Sequence, residues 1–274
     1  MPSKPDFSSN GSLNPLRYEH LEAVDGLAHG VFGREGGVSD PPYDSLNVVV
    51  KDGEDPQNVA ENLRRVRSEV GLDVLVSPVQ VHSDKVAVVE DYFDSSELHS
   101  SHGTRSGNGT GVIRTPGEAD AAVTALRGIG LLIQIADCQA VFLADPEKRV
   151  AANIHSGWRG SVQNIIGKTV GVMEERFGCN PSDILAGISP SLGPCCGEFF
   201  NFQTELPEEF YAFQTNPTYF DFWRISRQQL TDAGLHPENI RTAGICTVCN
   251  SSGYFSYRAA KITGRNAAII GWKA

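Results

Sequence analysis

Apolar positions along this chain repeat with two periods. Over residues 55–71, Val59, Leu63, Val66 and Val70 recur every three or four positions, which predicts a helix. Asp55 is placed to cap it, Pro56 suits its first turn, and Gly71 ends it. A second helix is predicted over residues 161–177, where Val162, Ile165, Ile166, Thr169, Val170, Met173 and Phe177 share a face and Gly178 is the stop. A third, shorter helix is expected over 228–235. Short continuous apolar runs predict buried strands at 130–136, 141–144, 150–154, 184–188, 240–248, 254–257 and 267–272, with a turn at 146–149. The valine-rich stretch 74–89, broken near Pro78, reads as strands on either side of a bend at 80–84. Residues 94–111 are polar and glycine-rich and read as a long loop. Strands and helices alternate without the regular beat of a dinucleotide-binding fold, and no G-x-G-x-x-G follows a strand. The expectation is one α/β domain with mixed sheets over residues 28–274, behind a polar and partly flexible lead at 1–27.

Composition narrows the classes of partner. The length of 274 residues suits one α/β domain, and 40% apolar residues supply a core. A net charge of −10 disfavours a nucleic-acid backbone or an anionic membrane as the main partner. It leaves small anionic substrates open, since a local basic pocket suffices for those. No apolar run reaches the ~18–20 residues of a membrane-spanning helix, and the first twenty residues lack the apolar core of a secretion signal. A cytoplasmic protein is expected, as monomer or homodimer. Its six cysteines then read as metal-binding, reactive or core thiols rather than disulfides.

Three segments carry candidate chemistry: Gln80-Val81-His82-Ser83-Asp84, Ala136-Asp137-Cys138 and His155-Ser156-Gly157-Trp158-Arg159-Gly160. Each places a borderline or soft ligand where an apolar strand ends. Two imidazoles and a thiolate suit zinc or copper, and three protein ligands leave a tetrahedral ion one open position. The same residues also read as a metal-free Cys138 nucleophile with His155 as its base. Residue types alone do not separate the two.

Cys246 and Cys249 form a C-x-x-C pair with no second pair at matching spacing, and Cys195 and Cys196 are adjacent, a poor geometry for joint chelation. These four are expected to be core or loop thiols, and His99 and His102 solvated loop residues. Arg159, just ahead of the predicted helix at 161, is a candidate anion ligand, because a helix N-terminus and a guanidinium both favour negative charge. Arg34, in a glycine-rich segment, is a second candidate. Each arginine also reads as a structural ion-pair partner, Arg159 with Asp120 or Asp137. Trp158 either stacks on a base or packs.

The segments His29-Gly30-Val31-Phe32-Gly33-Arg34-Glu35-Gly36-Gly37-Val38-Ser39, Tyr43-Asp44-Ser45-Leu46-Asn47, Gln80-Val81-His82, Glu118-Ala119-Asp120-Ala121, Ala136-Asp137-Cys138 and His155-Ser156-Gly157-Trp158-Arg159-Gly160 resemble, in this order, the YfiH family. That family is also called the multicopper polyphenol oxidase or laccase-domain family and peptidoglycan editing factor. The likeness continues through Gly187-Ile188-Ser189-Pro190 to Cys196, then Phe255-Ser256-Tyr257-Arg258 and Thr263-Gly264-Arg265, and so spans about residues 28–272. It implies an α/β sandwich, a Zn2+ or Cu2+ ion bound by His82, Cys138 and His155, and phosphorolysis of adenosine, inosine and methylthioadenosine together with adenosine deamination. On this reading Arg34, Asn47 and Arg159 serve the purine nucleoside and phosphate. Family names also carry a laccase activity and a role in peptidoglycan precursor fidelity, and seven histidines in all are a poor supply for several coppers. Two departures stand out: Ser156 where alanine is usual, and Gly197 where an aromatic is usual.

Overall fold

The computed structural model describes residues 13–90 and 113–274. The expected long loop at 94–111, with His99 and His102, falls outside them. Two mixed sheets form the centre. The first runs in the order β1 (Leu27–Phe32), β13 (Asn266–Trp272), β6 (Ile129–Ile135), β2 (Val74–Val76), β4 (Ile113–Arg114). β13 is antiparallel to both β1 and β6, whereas β2 lies parallel to both β6 and β4. The second runs β12 (Ile240–Thr242), β9 (Leu185–Ile188), β7 (Gln139–Asp145), β8 (Val150–Ser156), β5 (Ala121–Thr124), β3 (Val86–Val89). Its outer pairs β12–β9 and β3–β5 are parallel and the inner ones antiparallel. A short ribbon of β10 (Gln214–Asn216) and β11 (Tyr219–Phe220) stands apart.

Side-chain alternation along each strand builds the layers. Leu131, Ile133 and Ile135 of β6 meet Ala140, Phe142 and Ala144 of β7 between the sheets. Truncating the fully buried Phe142 to alanine would cost about 3–5 kcal/mol. Asn153 of β8 ties the layers together by donating from Nδ2 to the carbonyls of Leu131 and Ala268 across the gap. On the outer face of the first sheet, Leu132 and Ile269 pack under Val59, Leu63, Val66 and Val70 of α2 (Pro56–Val70). On the outer face of the second, Val141 and Leu143 pack under Ile166, Val170 and Met173 of α4 (Ile165–Phe177) and Leu230 of α6 (Phe222–Asp232). The order helix, sheet, sheet, helix matches the expected α/β sandwich. Short helices α1 (Glu19–Glu22), α3 (Trp158–Val162) and α5 (Phe202–Glu205) complete it.

The capping residues of α2 act as the sequence predicts: Asp55 accepts from the Gln57 N–H, and Gly71 closes the helix at φ 68°. Four expectations need correcting. The helix over 161–177 is two, because Asn164 turns left-handed at φ 54° and its side chain caps α4 by accepting from the Gly167 N–H. The helix expected at 228–235 starts at Phe222, where Asp221 accepts from the Arg224 N–H. The strand over 240–248 stops at Thr242, since Gly244 takes φ 65°, and residues 254–257 form no strand. Part of the lead packs on the domain: Leu16 pairs with Val31, and Tyr18 and Leu21 are buried, with the Tyr18 hydroxyl donating to the Ile188 carbonyl. No helix among the described residues is long and apolar enough to cross a membrane.

Candidate metal centre and adjoining cavity

The chain crosses from the first sheet to the second between β2 and β3 and again between β6 and β7. His82 lies on the first crossing and Cys138 on the second. His155 lies on β8, in register with Ala140 of β7, two residues beyond Cys138. The three side chains therefore meet at one corner of the sandwich, with ligand atoms all within 4.8 Å of one another. The rings of His82 and His155 stand edge to face, centroids 4.9 Å apart. Backbone strain accompanies this placement: His82 takes φ 59° and Asp137, just before Cys138, φ 88°. Gly157 allows the closure, because a Cβ there would lie 2.9 Å from Cys138 Sγ and 3.4 Å from the His82 ring.

Asp120, which sequence reasoning treated only as an ion-pair partner for Arg159, organises the site. It is fully buried. Its carboxylate accepts from the backbone N–H groups of Val81, His82 and Ser83 and from the Ser83 hydroxyl, which fixes the loop that carries His82. It also accepts from His155 Nδ1 at 2.8 Å, so the other ring nitrogen, Nε2, is left for the centre. Burial raises the pKa of Asp120, but the hydrogen bonds from His155 and Ser83 bring it down to about 2. Burial likewise pushes the Cys138 thiol up, but the charge of His155 and the hydrogen bonds to His155 and His82 bring it down to about 6. Burial pushes His155 down, whereas Cys138 and Asp120 raise it to about 9. These neighbours favour the ionised form of Cys138, and the thiolate is the form that binds metal or attacks carbon.

The three residues line a cavity of about 580 Å³. Val48, Val50, Val59 and Leu63 form an apolar wall, and Lys51, Arg114 and Arg265 bring positive charge. The guanidinium of Arg265 donates to the carbonyls of Thr263 and Gly264 and forms no ion pair among the described residues, although the charges of Cys138 and Asp137 act on it. Burial lowers the pKa of Lys51, and the charge of Arg265 lowers it further. Two cations held together beside an apolar wall make an anion-binding position.

The residues expected at the substrate lie elsewhere. Arg34 pairs with Asp44 at 3.0 Å and donates to the carbonyls of Asp44 and Ser251, which ties two loops together. Asn47 is fully buried. Its side chain bonds Val49, Glu54 and the backbone N–H of Arg265, so it positions that arginine instead of reaching the cavity. Arg159 is exposed and stacks on Trp158 at 4.4 Å. Asp120 and Asp137 pair with other groups. None of the three arginine or asparagine side chains lines the cavity. The useful signal in the sequence was the Thr263-Gly264-Arg265 segment, whose arginine received no role.

The expectation that adjacent cysteines are poorly placed for joint chelation is corrected by the geometry. Cys195 and Cys196 sit on a tight turn, closed by the Cys196 N–H to the Gly193 carbonyl at 3.0 Å, and the turn aims both thiols at the C-x-x-C pair. Cys249 Sγ lies 3.5 Å from Cys195 Sγ and 3.6 Å from Cys196 Sγ, and all four sulfurs are within 4.8 Å of one another. A Cβ on Gly193 would lie 2.9 Å from both the Cys246 Cβ and the Trp223 ring, so this approach needs glycine. Burial and the neighbouring thiols Cys249 and Cys246 push Cys195 up to about 11.

The chain is similar to known proteins over most of its length. The family described as multi-copper polyphenol oxidoreductase laccase matches residues 28–273. A purine nucleoside phosphorylase of Bacteroides thetaiotaomicron is 30% identical over 89% of this chain and 90% of its own length. The purine nucleoside phosphorylase YfiH of Escherichia coli K12 is 32% identical over 86% and 90%. The crystal structure of YlmD from Geobacillus stearothermophilus superposes with a TM-score of 0.80 at 26% identity, covering 99% of this chain and all of that one. The chain therefore belongs to the multi-copper polyphenol oxidoreductase laccase family, the family of YfiH and YlmD.

Proposed function

We propose that this chain is a metal-dependent purine nucleoside phosphorylase that also deaminates adenosine. The observation that carries the reading is that His82, Cys138 and His155 converge on the wall of a cavity that also holds Lys51 and Arg265. Two imidazoles, a thiolate and a carboxylate behind one imidazole fit a zinc or copper ion. When bound, such an ion would supply a Lewis acid at the cavity wall. The chain's own groups supply the rest. A cavity of about 580 Å³ suits a nucleoside. Its valine and leucine wall takes the flat purine, and Lys51 and Arg265 take phosphate. Phosphorolysis forms a bond from a phosphate oxygen to C1′ of the ribose as the bond to the purine nitrogen breaks, giving free base and ribose 1-phosphate. The cations hold phosphate against the sugar and screen its charge. Deamination adds water to the purine carbon that bears the amine and releases ammonia, with no need for phosphate.

Two relatives bear the name purine nucleoside phosphorylase, which supports the nucleoside and phosphate as substrates. Copper-dependent polyphenol oxidation fits less well. Of the seven histidines, His29 accepts from the Tyr18 N–H in the core and His20 bonds the Ala186 carbonyl, far from a multi-copper donor set. One observation favours a second reading, a metal-free cysteine hydrolase acting on cell-wall precursors: Cys138 and His155 lie within 4.8 Å of each other, and each favours the charged form of the other. Incubation with adenosine and phosphate, with and without chelator, separates the readings by chromatography. Adenine and ribose 1-phosphate, with inosine as a second product, both suppressed by chelator, are expected. Full activity after chelation would hand the site to the cysteine reading, and absence of adenine and inosine from metal-loaded protein would end the nucleoside reading.

A further inference from the structure

We propose that Cys195, Cys196, Cys246 and Cys249 bind a structural zinc ion that braces the loop carrying Cys138. Four sulfurs around one tetrahedral zinc at ~2.3 Å sit about 3.8 Å apart. The two separations from Cys249, 3.5 and 3.6 Å, lie near that value, and no pair exceeds 4.8 Å. The spacing excludes a cluster of several iron atoms, whose core would need to fit between the thiolates. It also exceeds the ~2.05 Å of a disulfide, and all four cysteines are free. Four sulfur donors select zinc over the harder divalent cations.

The close approach at Gly193 supports the assignment: a Cβ there would lie 2.9 Å from the Cys246 Cβ, so only a glycine lets the turn carrying Cys195 and Cys196 close on the C-x-x-C segment. The C-x-x-C pair supplies two ligands at the spacing zinc sites commonly use. The turn at Gly193–Cys196 supplies the other two from adjacent residues. Zinc binding would displace a proton from each thiol that is not already ionised.

Hydrogen bonds tie the cluster to the candidate active centre. Thr247, inside the C-x-x-C, donates from Oγ1 to Asp137 at 2.7 Å, and the Leu192 N–H donates to the Asp137 carbonyl at 2.8 Å. Ser191 and Thr247 are joined backbone to backbone at 3.0 Å. One ion would pin the segments after β9 and β12 to each other and to the residue before Cys138.

The full-length chain provides the test. Cys138→Ala removes a ligand of the first centre, so metal that remains reports on the cysteine cluster. About one zinc per chain is expected there, replaceable by cobalt(II) with a thiolate-to-cobalt charge-transfer band and strong visible bands. Both should disappear when Cys249→Ser is added. In the unmutated chain, alkylation mapped by mass spectrometry should find the four cysteines protected together and released together by chelator. This arm needs no substitution, so it decides the matter if the double variant does not fold. A Cys138→Ala chain without a thiolate–cobalt band overturns the proposal. So does free alkylation of Cys195 before chelation, or a mass lower by two hydrogens in reducing buffer, which would reveal a disulfide.

Discussion

The two clusters of ligand side chains differ in donor number, in what backs them and in what they face. His82, Cys138 and His155 offer three donors, are aligned by a buried carboxylate and line a cavity. The cysteine cluster offers four donors, is closed by the turn at Gly193 and reaches the surface through Cys195 and Cys249. Three donors leave a metal ion a position for chemistry, whereas four close it. A strained backbone also marks the first cluster, at His82 and Asp137. Donor count and surroundings together separate a site built to react from one built to hold.

The sharpest way to break this contrast is Cys138→Ala. We expect the first centre to lose its metal and phosphorolysis to fall by about 10³-fold or more, roughly 4 kcal/mol of transition-state stabilisation. Metal in the cysteine cluster should stay. Steady-state rates and metal content on the same preparation check it. Lost activity with the first metal retained would make Cys138 a nucleophile instead of a ligand.

A smaller effect is expected from Asp120→Asn, which keeps the shape but weakens the acceptor for His155 and for the loop carrying His82. Loss of such an outer partner commonly costs 10–100-fold in metal affinity or activity. A competition titration with a chromogenic chelator reads it. Unchanged affinity would mean that the ligands hold their positions without the carboxylate.

The sequence made some of this visible and hid the rest for identifiable reasons. Helix α2 was legible because Asp55, Pro56 and Gly71 act locally. Strands β6, β7 and β8 were legible because burial on both faces makes them continuously apolar. His82, Cys138 and His155 were visible as residue types at strand ends, and the fold brings them together through two crossings that no local pattern encodes. The break at Asn164 was hidden because apolar spacing continues through it. Cys195 and Cys196 were discounted because adjacent side chains diverge in an extended chain, and only the turn reverses that. Arg265 was passed over because its place on the cavity wall is a property of the folded chain.

The cavity cations extend the comparison from the metal to the anion. Arg265→Gln is expected to raise the KM for phosphate about tenfold, a loss of ~1.4 kcal/mol, and to change deamination less. Arg159→Lys should leave both rates within about twofold, since that side chain stacks on Trp158 at the surface. Measuring both activities against phosphate concentration distinguishes them. A large phosphate effect at Arg159 and none at Arg265 would move the anion site out of the cavity.

The smallest expected effect tests whether the two clusters are linked. Thr247 lies between two cysteines of the second cluster and donates to Asp137, the neighbour of Cys138. Asp137 keeps two other donors, the Ser256 hydroxyl at 2.6 Å and the Arg258 N–H at 2.7 Å, so removing one leaves the carboxylate partly satisfied. Thr247→Val preserves shape and deletes only the hydroxyl. A hydrogen bond to a charged group contributes about 1.5–3 kcal/mol, and the remaining donors place the expected loss of stability at the low end. Because Asp137 holds a left-handed backbone just before a ligand, some of that loss should reach the first centre as a few-fold fall in its metal affinity. The cysteine cluster should keep its metal, because its four sulfurs are untouched. A lower melting temperature with unchanged affinity at the first centre would make the clusters neighbours that share a wall without communicating. A fall in both would confirm that the cysteine cluster braces the reactive one.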